Sequence, residues 1–154
     1  MSDRGSVRQR PHAVVGDEAA VPAASVVLLA RSDAELVAAQ FAPESWERFV
    51  HAHLAALRAA AAVVAFHGRP SGRRAPRNVW DMLSTVTPEL SEWAVRFAAG
   101  AGTRTAIEAG RFDAVTPETA ESLLCDAEDF VDEVRGLLSD GAATSGTVLA
   151  LRAS

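Results

Sequence analysis

The chain contains no lysine and no tyrosine, and it has a single cysteine, Cys125. One thiol forms no internal disulfide, so a reducing, cytoplasmic setting is the expectation. There is no run of eighteen or more apolar residues, so no membrane-spanning segment is expected. The stretch AAVPAASVVLLA (19–30) has the character of a signal-peptide core, but Asp17 and Glu18 precede it, RSDAEL follows it, and it lacks a clean cleavage site. Zinc-ligand spacing, a phosphate loop, a dinucleotide fingerprint and a serine elbow are missing as well, so neither a metal nor a cofactor is expected. The lack of lysine also bears on how arginines are weighed. All 15 basic residues are arginine, and alanine makes up about a fifth of the chain. This resembles the codon bias of a GC-rich bacterial genome. A plain surface lysine elsewhere would be arginine here, so no single arginine is strong evidence for guanidinium chemistry.

A length of 154 residues suits one domain with its own core. The net charge of −5 argues against a protein that coats nucleic acid. The charge is unevenly spread, however. The segment HGRPSGRRAPR (67–77) holds Arg69, Arg73, Arg74 and Arg77 with no acid, whereas residues 118–140 hold eight acids against Arg135 alone.

The apolar period is helical wherever it is clear, and no segment alternates like a strand. Residues 1–21 and 139–154 are expected as mobile tails around a bundle over 22–138. A first helix is expected over about 22–40 with Val26, Leu29, Leu36 and Val37 inward, and a second over about 43–66. A short third covers about 77–85. The tetrapeptide VTPE then occurs twice, at 86–89 and 115–118. Each copy offers a threonine cap, a proline at the first helical position and a glutamate suited to the helix dipole. A fourth helix should run from Pro88 towards Ala109, weakened by AAGAG, and a fifth from Pro117 to about Leu138. Five helices with short connections make an all-α, up-and-down bundle. Trp46, Trp80 and Trp93 are expected to be largely buried, and Cys125 to be a buried, inert thiol.

The candidate chemistry centres on ERFVHAH (47–53). Arg48 and His53 have the Arg-x4-His spacing, and an arginine holding a phosphate beside a titrating histidine could cleave RNA. Equally, His53 could be a satisfied histidine at the core edge, with Arg48 paired to Glu44 or Glu47. Arg48, His51 and Arg58 fall on one helical stripe and form a candidate binding surface. The loop arginines Arg69, Arg73, Arg74 and Arg77 could grip phosphates or an acidic partner, although no aromatic residue there would stack on bases. Asp126, Asp129 and Glu133 lie along one side of the last helix and read as a solvated face.

AHLAALRAAAAVV (52–64), RNVWDML, PELSEWAVRFAAGA, EAG and LLCDAEDF, in that order, resemble the small HEPN-domain proteins of actinobacteria. The resemblance spans roughly residues 46–138. It implies a HEPN-like bundle of about five helices and a homodimer. In catalytic members it implies a metal-independent RNase whose Arg-His motif lies in a cleft shared by two subunits. Only Arg48 and His53 have that spacing here. The pair sits in the second helix rather than late in the domain, and Phe49 follows the arginine where a polar residue is usual. Two readings therefore stand: a non-catalytic module that binds nucleic acid or another partner, and an RNase acting through Arg48 and His53. Where His53 points discriminates between them.

Overall fold

The computed structural model describes residues 21–152, the side chains of 145–150 excepted, so all but the last residue of the expected tail over 1–21 lies outside the described residues. Helix α1 (Ala23–Phe41) and helix α2 (Ser45–His67) form an antiparallel hairpin. Its inner seam is made of small side chains. Ser25, Ser32 and Ala39 of α1 are fully buried, at a spacing of seven, against the alanines of α2. Small residues let the two backbones approach, and the serines then meet backbone oxygen: Ser25 donates to the Ala62 carbonyl and Ser32 to the Ala55 carbonyl, each at 2.8 Å. Val26 and Val37, expected inward, point to solvent instead. The face that fits closely against α2 belongs to the serines, so the larger valines take the outside.

Helix α2 is the centre of the bundle, packed by α1, by α3 (Val79–Val86) and by α6 (Pro117–Arg152). It is also the one helix among the described residues long and apolar enough to cross a membrane, a match that a buried core helix meets equally well. Asn78 caps α3 by accepting from the Asp81 amide at 2.9 Å.

The two VTPE segments behave differently. Thr116 caps α6, accepting from the Thr119 amide at 3.2 Å. Thr87 is buried, makes no side-chain cap bond, and opens only a 3-10 turn over Pro88–Leu90. The single helix expected from Pro88 to Ala109 is broken into that turn, α4 (Ser91–Ala98) and α5 (Ala101–Glu108). The break falls at Ala99 and Gly100, within the glycine-weakened stretch. The described residues thus form six α-helices and no strand, with the expected fourth helix in pieces.

Helix α6 does not stop at Leu138. It runs on to Arg152, about 54 Å in all at 1.5 Å per residue. Gly141 allows part of this extension to lie against α2: a Cβ there would come within 2.7 Å of the Phe66 ring. The other side of the core is aromatic. Phe97 of α4 stacks on Trp80 and Trp93 at 5.5 and 5.7 Å and meets Phe130 of α6 at 5.2 Å. Trp80 is buried, but Trp46 and Trp93 are only half-buried. Each uses one face: Trp46 stacks on Phe112 at 4.3 Å, and Trp93 sends its indole N–H to Glu133 at 2.7 Å. Cys125 is exposed, because it lies off the inward stripe of Leu124, Ala127 and Val131.

Candidate functional site

Arg48 and His53 both sit on α2, but they leave it in different directions. Helical spacing dictates this: five residues at 100° each bring the second side chain round to another face. Arg48 reaches the end of α1. Its Nε donates to the Ala39 carbonyl at 3.3 Å and its Nη2 to the Ala42 carbonyl at 3.2 Å. These oxygens lie at the C-terminal end of α1 and its cap, where a positive charge is favoured. Nη1 completes the set with Glu121 of α6 at 3.0 Å. Arg48 thus ties three helices together, and neither Glu44 nor Glu47 is its partner.

His53 faces the core and has no exposed surface. Its ring lies parallel to Phe49 at 6.3 Å and edge-on to Trp80 at 6.1 Å. Nε2–H donates to the Phe97 carbonyl at 2.8 Å, which fixes the neutral tautomer with Nδ1 as a bare acceptor. That Nδ1 is buried and has no partner. Burial pushes the His53 pKa below its ordinary 6.5; the bond to Phe97 opposes this, Arg104 adds to it and Glu108 opposes it. A Cβ on Gly100 would stand 3.2 Å from the ring, so the α4–α5 break closes directly over His53. The glycines of AAGAG read in the sequence as weakening the helix and permitting close approach, but nothing there said that His53 is what approaches.

Beyond Gly100 lies an open cavity of about 430 Å³ between α2, the α4–α5 break and the start of α6. Phe49 and Gly100, which line it, also pack on His53. Its polar walls carry both signs: Arg96 faces Glu118 and Asp126, and Arg96 is already paired with Asp126 at 3.1 Å. Arg96 also lies over the Trp93 ring at 5.1 Å. With two carboxylates against one engaged arginine, this cavity is a poor seat for a phosphate.

The stripe of Arg48, His51 and Arg58 is no free surface either. Ala55, in its middle, is fully buried against α1, and His51 Nδ1 holds Glu35 of α1 at 2.6 Å. Arg58 is half-buried with no ion-pair partner among the described residues. The basic loop differs. It leaves α2 at Gly68, whose φ of +88° only glycine adopts without strain, and ends at the Asn78 cap. Arg69, Arg73, Arg74 and Arg77 are all exposed, and none has an ion-pair partner among the described residues. On the acidic face, Asp126 and Glu133 are engaged by Arg96 and Trp93, and no cluster suited to a metal ion is found among the described residues.

The described residues form a helical bundle packed around one central helix. Residues 39–135 match the model of the SAV_6107-like HEPN family. The chain belongs to this HEPN family, as the ordered segments from 52 to 130 suggested. No curated protein and no solved structure gives a match.

Proposed function

We propose that this HEPN domain is a non-catalytic binding module, working in the cytoplasm, that holds an anionic partner on its basic loop. One observation carries the reading: Arg69, Arg73, Arg74 and Arg77 stand exposed without internal ion pairs, while Arg48 is engaged by two carbonyls and a carboxylate. Cleavage through Arg48 and His53 has no support in this arrangement. A general acid or base must reach the proton it moves, and His53 is enclosed and held neutral.

RNA is the first partner to test. Four arginines without aromatics hold phosphates and read no sequence. Binding should therefore be weak and steeply salt-dependent, with log affinity against log salt falling at a slope of about −3 on single strands, about −0.7 for each of four contacts. Fluorescence anisotropy of a labelled oligonucleotide measures this. Replacing all four arginines with alanine should abolish binding. If wild type binds no RNA at low salt, a pull-down of acidic proteins with the same variant is the remaining test of the loop. Incubation with total bacterial RNA in the absence of metal tests the alternative: cleavage that His53→Ala abolishes would overturn the non-catalytic reading.

The module is proposed to act as a homodimer. Val37 and Phe41 leave an apolar patch at the end of the outer face of α1, and Phe41 is 82% exposed. The alanine-rich stretch 57–65 of α2 is largely buried within the subunit. Light scattering should give a dimer mass that Phe41→Glu reduces to a monomer. A wild-type monomer at tens of micromolar would refute the assembly.

A further inference from the structure

A second cavity, of about 370 Å³, opens beside the basic loop and takes no part in the Arg48 and His53 geometry. Its walls are apolar: Leu28 of α1, Leu57 and Val64 of α2, and Val79 and Met82 of α3. The gap exists because α2 presents Ala61 and Ala65 between α1 and α3, where larger side chains would fill the space. Two charged residues line it, Arg69 and Arg77, from opposite ends of the loop. Both are exposed, which puts their charge on the solvent side of the apolar walls. Neither has an ion-pair partner among the described residues, and no carboxylate lines the cavity.

An apolar pocket with a few convergent polar groups is the usual form of a small-molecule site, and the volume falls in the lower part of the ~300–1,000 Å³ range of such sites. Apolar walls take a hydrocarbon body. Two unpaired guanidinium groups at the open side favour an anionic head and disfavour a cationic one. We propose that this cavity binds a free, single-chain amphiphile with an anionic head, such as a medium-chain carboxylate, with its chain among Leu28, Leu57 and Met82 and its head between Arg69 and Arg77. The proposal shares these two arginines with the loop reading but needs neither a polyanion nor a protein partner.

Decanoate, below its micelle concentration and at low salt, is the probe, with decanol and acetate as controls in titration calorimetry. Decanoate should bind one per chain, decanol at least tenfold more weakly, and acetate not measurably. Shortening the chain should weaken binding about fourfold per methylene. Arg69→Gln with Arg77→Gln, both on an exposed loop where the fold is not at risk, should bring decanoate to the level of decanol. Ala61→Phe should fill the cavity and abolish decanoate binding while sparing any binding of RNA by the loop. Arg73→Ala with Arg74→Ala, which do not line the cavity, should spare decanoate binding while weakening any binding of RNA and roughly halving its salt slope. Decanoate binding without RNA binding would sink the loop reading and keep this one. Equal binding of decanol and decanoate, decanoate binding unchanged in the double glutamine variant, or no decanoate binding at millimolar concentration would each overturn the proposal.

Discussion

A His53→Leu variant should gain on the wild type as the pH falls. At pH 8 the imidazole is neutral, and its loss removes one hydrogen bond to the Phe97 carbonyl, worth about 1 kcal/mol. That carbonyl is not orphaned, because the Gly100 amide also donates to it at 3.0 Å. The substitution also removes Nδ1, a buried acceptor without a partner, whose burial costs about 1–3 kcal/mol. The two terms oppose, so the variant should lie within about 2 kcal/mol of wild type at pH 8. Below about 6.5 the unfolded chain binds a proton on His53 that the native chain refuses, because the folded pKa is lowered. Wild-type stability is therefore intact above the unfolded pKa and falls as the pH drops towards the folded one, by up to about 1.4 kcal/mol per pH unit. Leucine has no such term. Between pH 7 and pH 5 the difference should move towards the variant by up to about 2 kcal/mol. Urea unfolding followed by tryptophan fluorescence at several pH values measures it, and groups common to both proteins cancel. A difference independent of pH, or one that moves towards wild type in acid, would show that the imidazolium finds an acceptor or solvent and that the enclosure of His53 is wrong.

Other expectations follow from the same packing. Arg48→Ala should cost about 2 kcal/mol by removing its bonds to the Ala39 and Ala42 carbonyls and to Glu121, read as a lower melting temperature; an unchanged melt would deny it a structural role. Trp93→Ala should cost on the order of 3 kcal/mol, because the ring packs on Phe97 and Phe130 and bonds Glu133. A variant melting within a degree or two of wild type would place that face outside the core. Gly141→Leu should detach the α6 extension, since even a Cβ meets Phe66 at 2.7 Å. Faster amide exchange around residues 139–144 with nearly unchanged global stability is expected, and unaltered exchange would refute the contact.

The helices were legible because long apolar stripes repeat at helical spacing, and α2 and α6 carry the clearest of them. Side-chain chemistry misled where packing is tight. Serine reads as outward, yet Ser25 and Ser32 are the inward residues of α1, and Val26 and Val37 lie outside. Glycine and threonine made residues 139–154 read as a tail, although α6 runs on as far as Arg152. The two threonine caps looked equivalent and are not, because burial of Thr87 depends on neighbours remote in sequence. At the candidate site, the spacing of Arg48 and His53 was plain and their separation onto different faces was partly so. What covers His53 comes from α3 and the α4–α5 break, and no local pattern announces such a lid.

The hairpin of α1 and α2 has one further consequence. Ser25 meets Ala62, Ser32 meets Ala55, and Ala39 meets Arg48, so each step of seven along α1 is matched by a step of seven back along α2. A seam of small side chains has few large knobs to set its alignment, and sliding by one helical turn would cost it little apolar contact. The serine bonds hold the joint close without choosing its alignment, because α2 offers another backbone carbonyl on the same face one turn away. Arg48 is the dowel: it reaches Ala39 and Ala42, where α1 ends, and Glu121 of α6, and a slip of a single turn would miss all three at once. Alanine at Arg48 would leave a seam as greasy and as close, yet free to settle in neighbouring alignments. The loss would then be one of uniqueness as well as of stability.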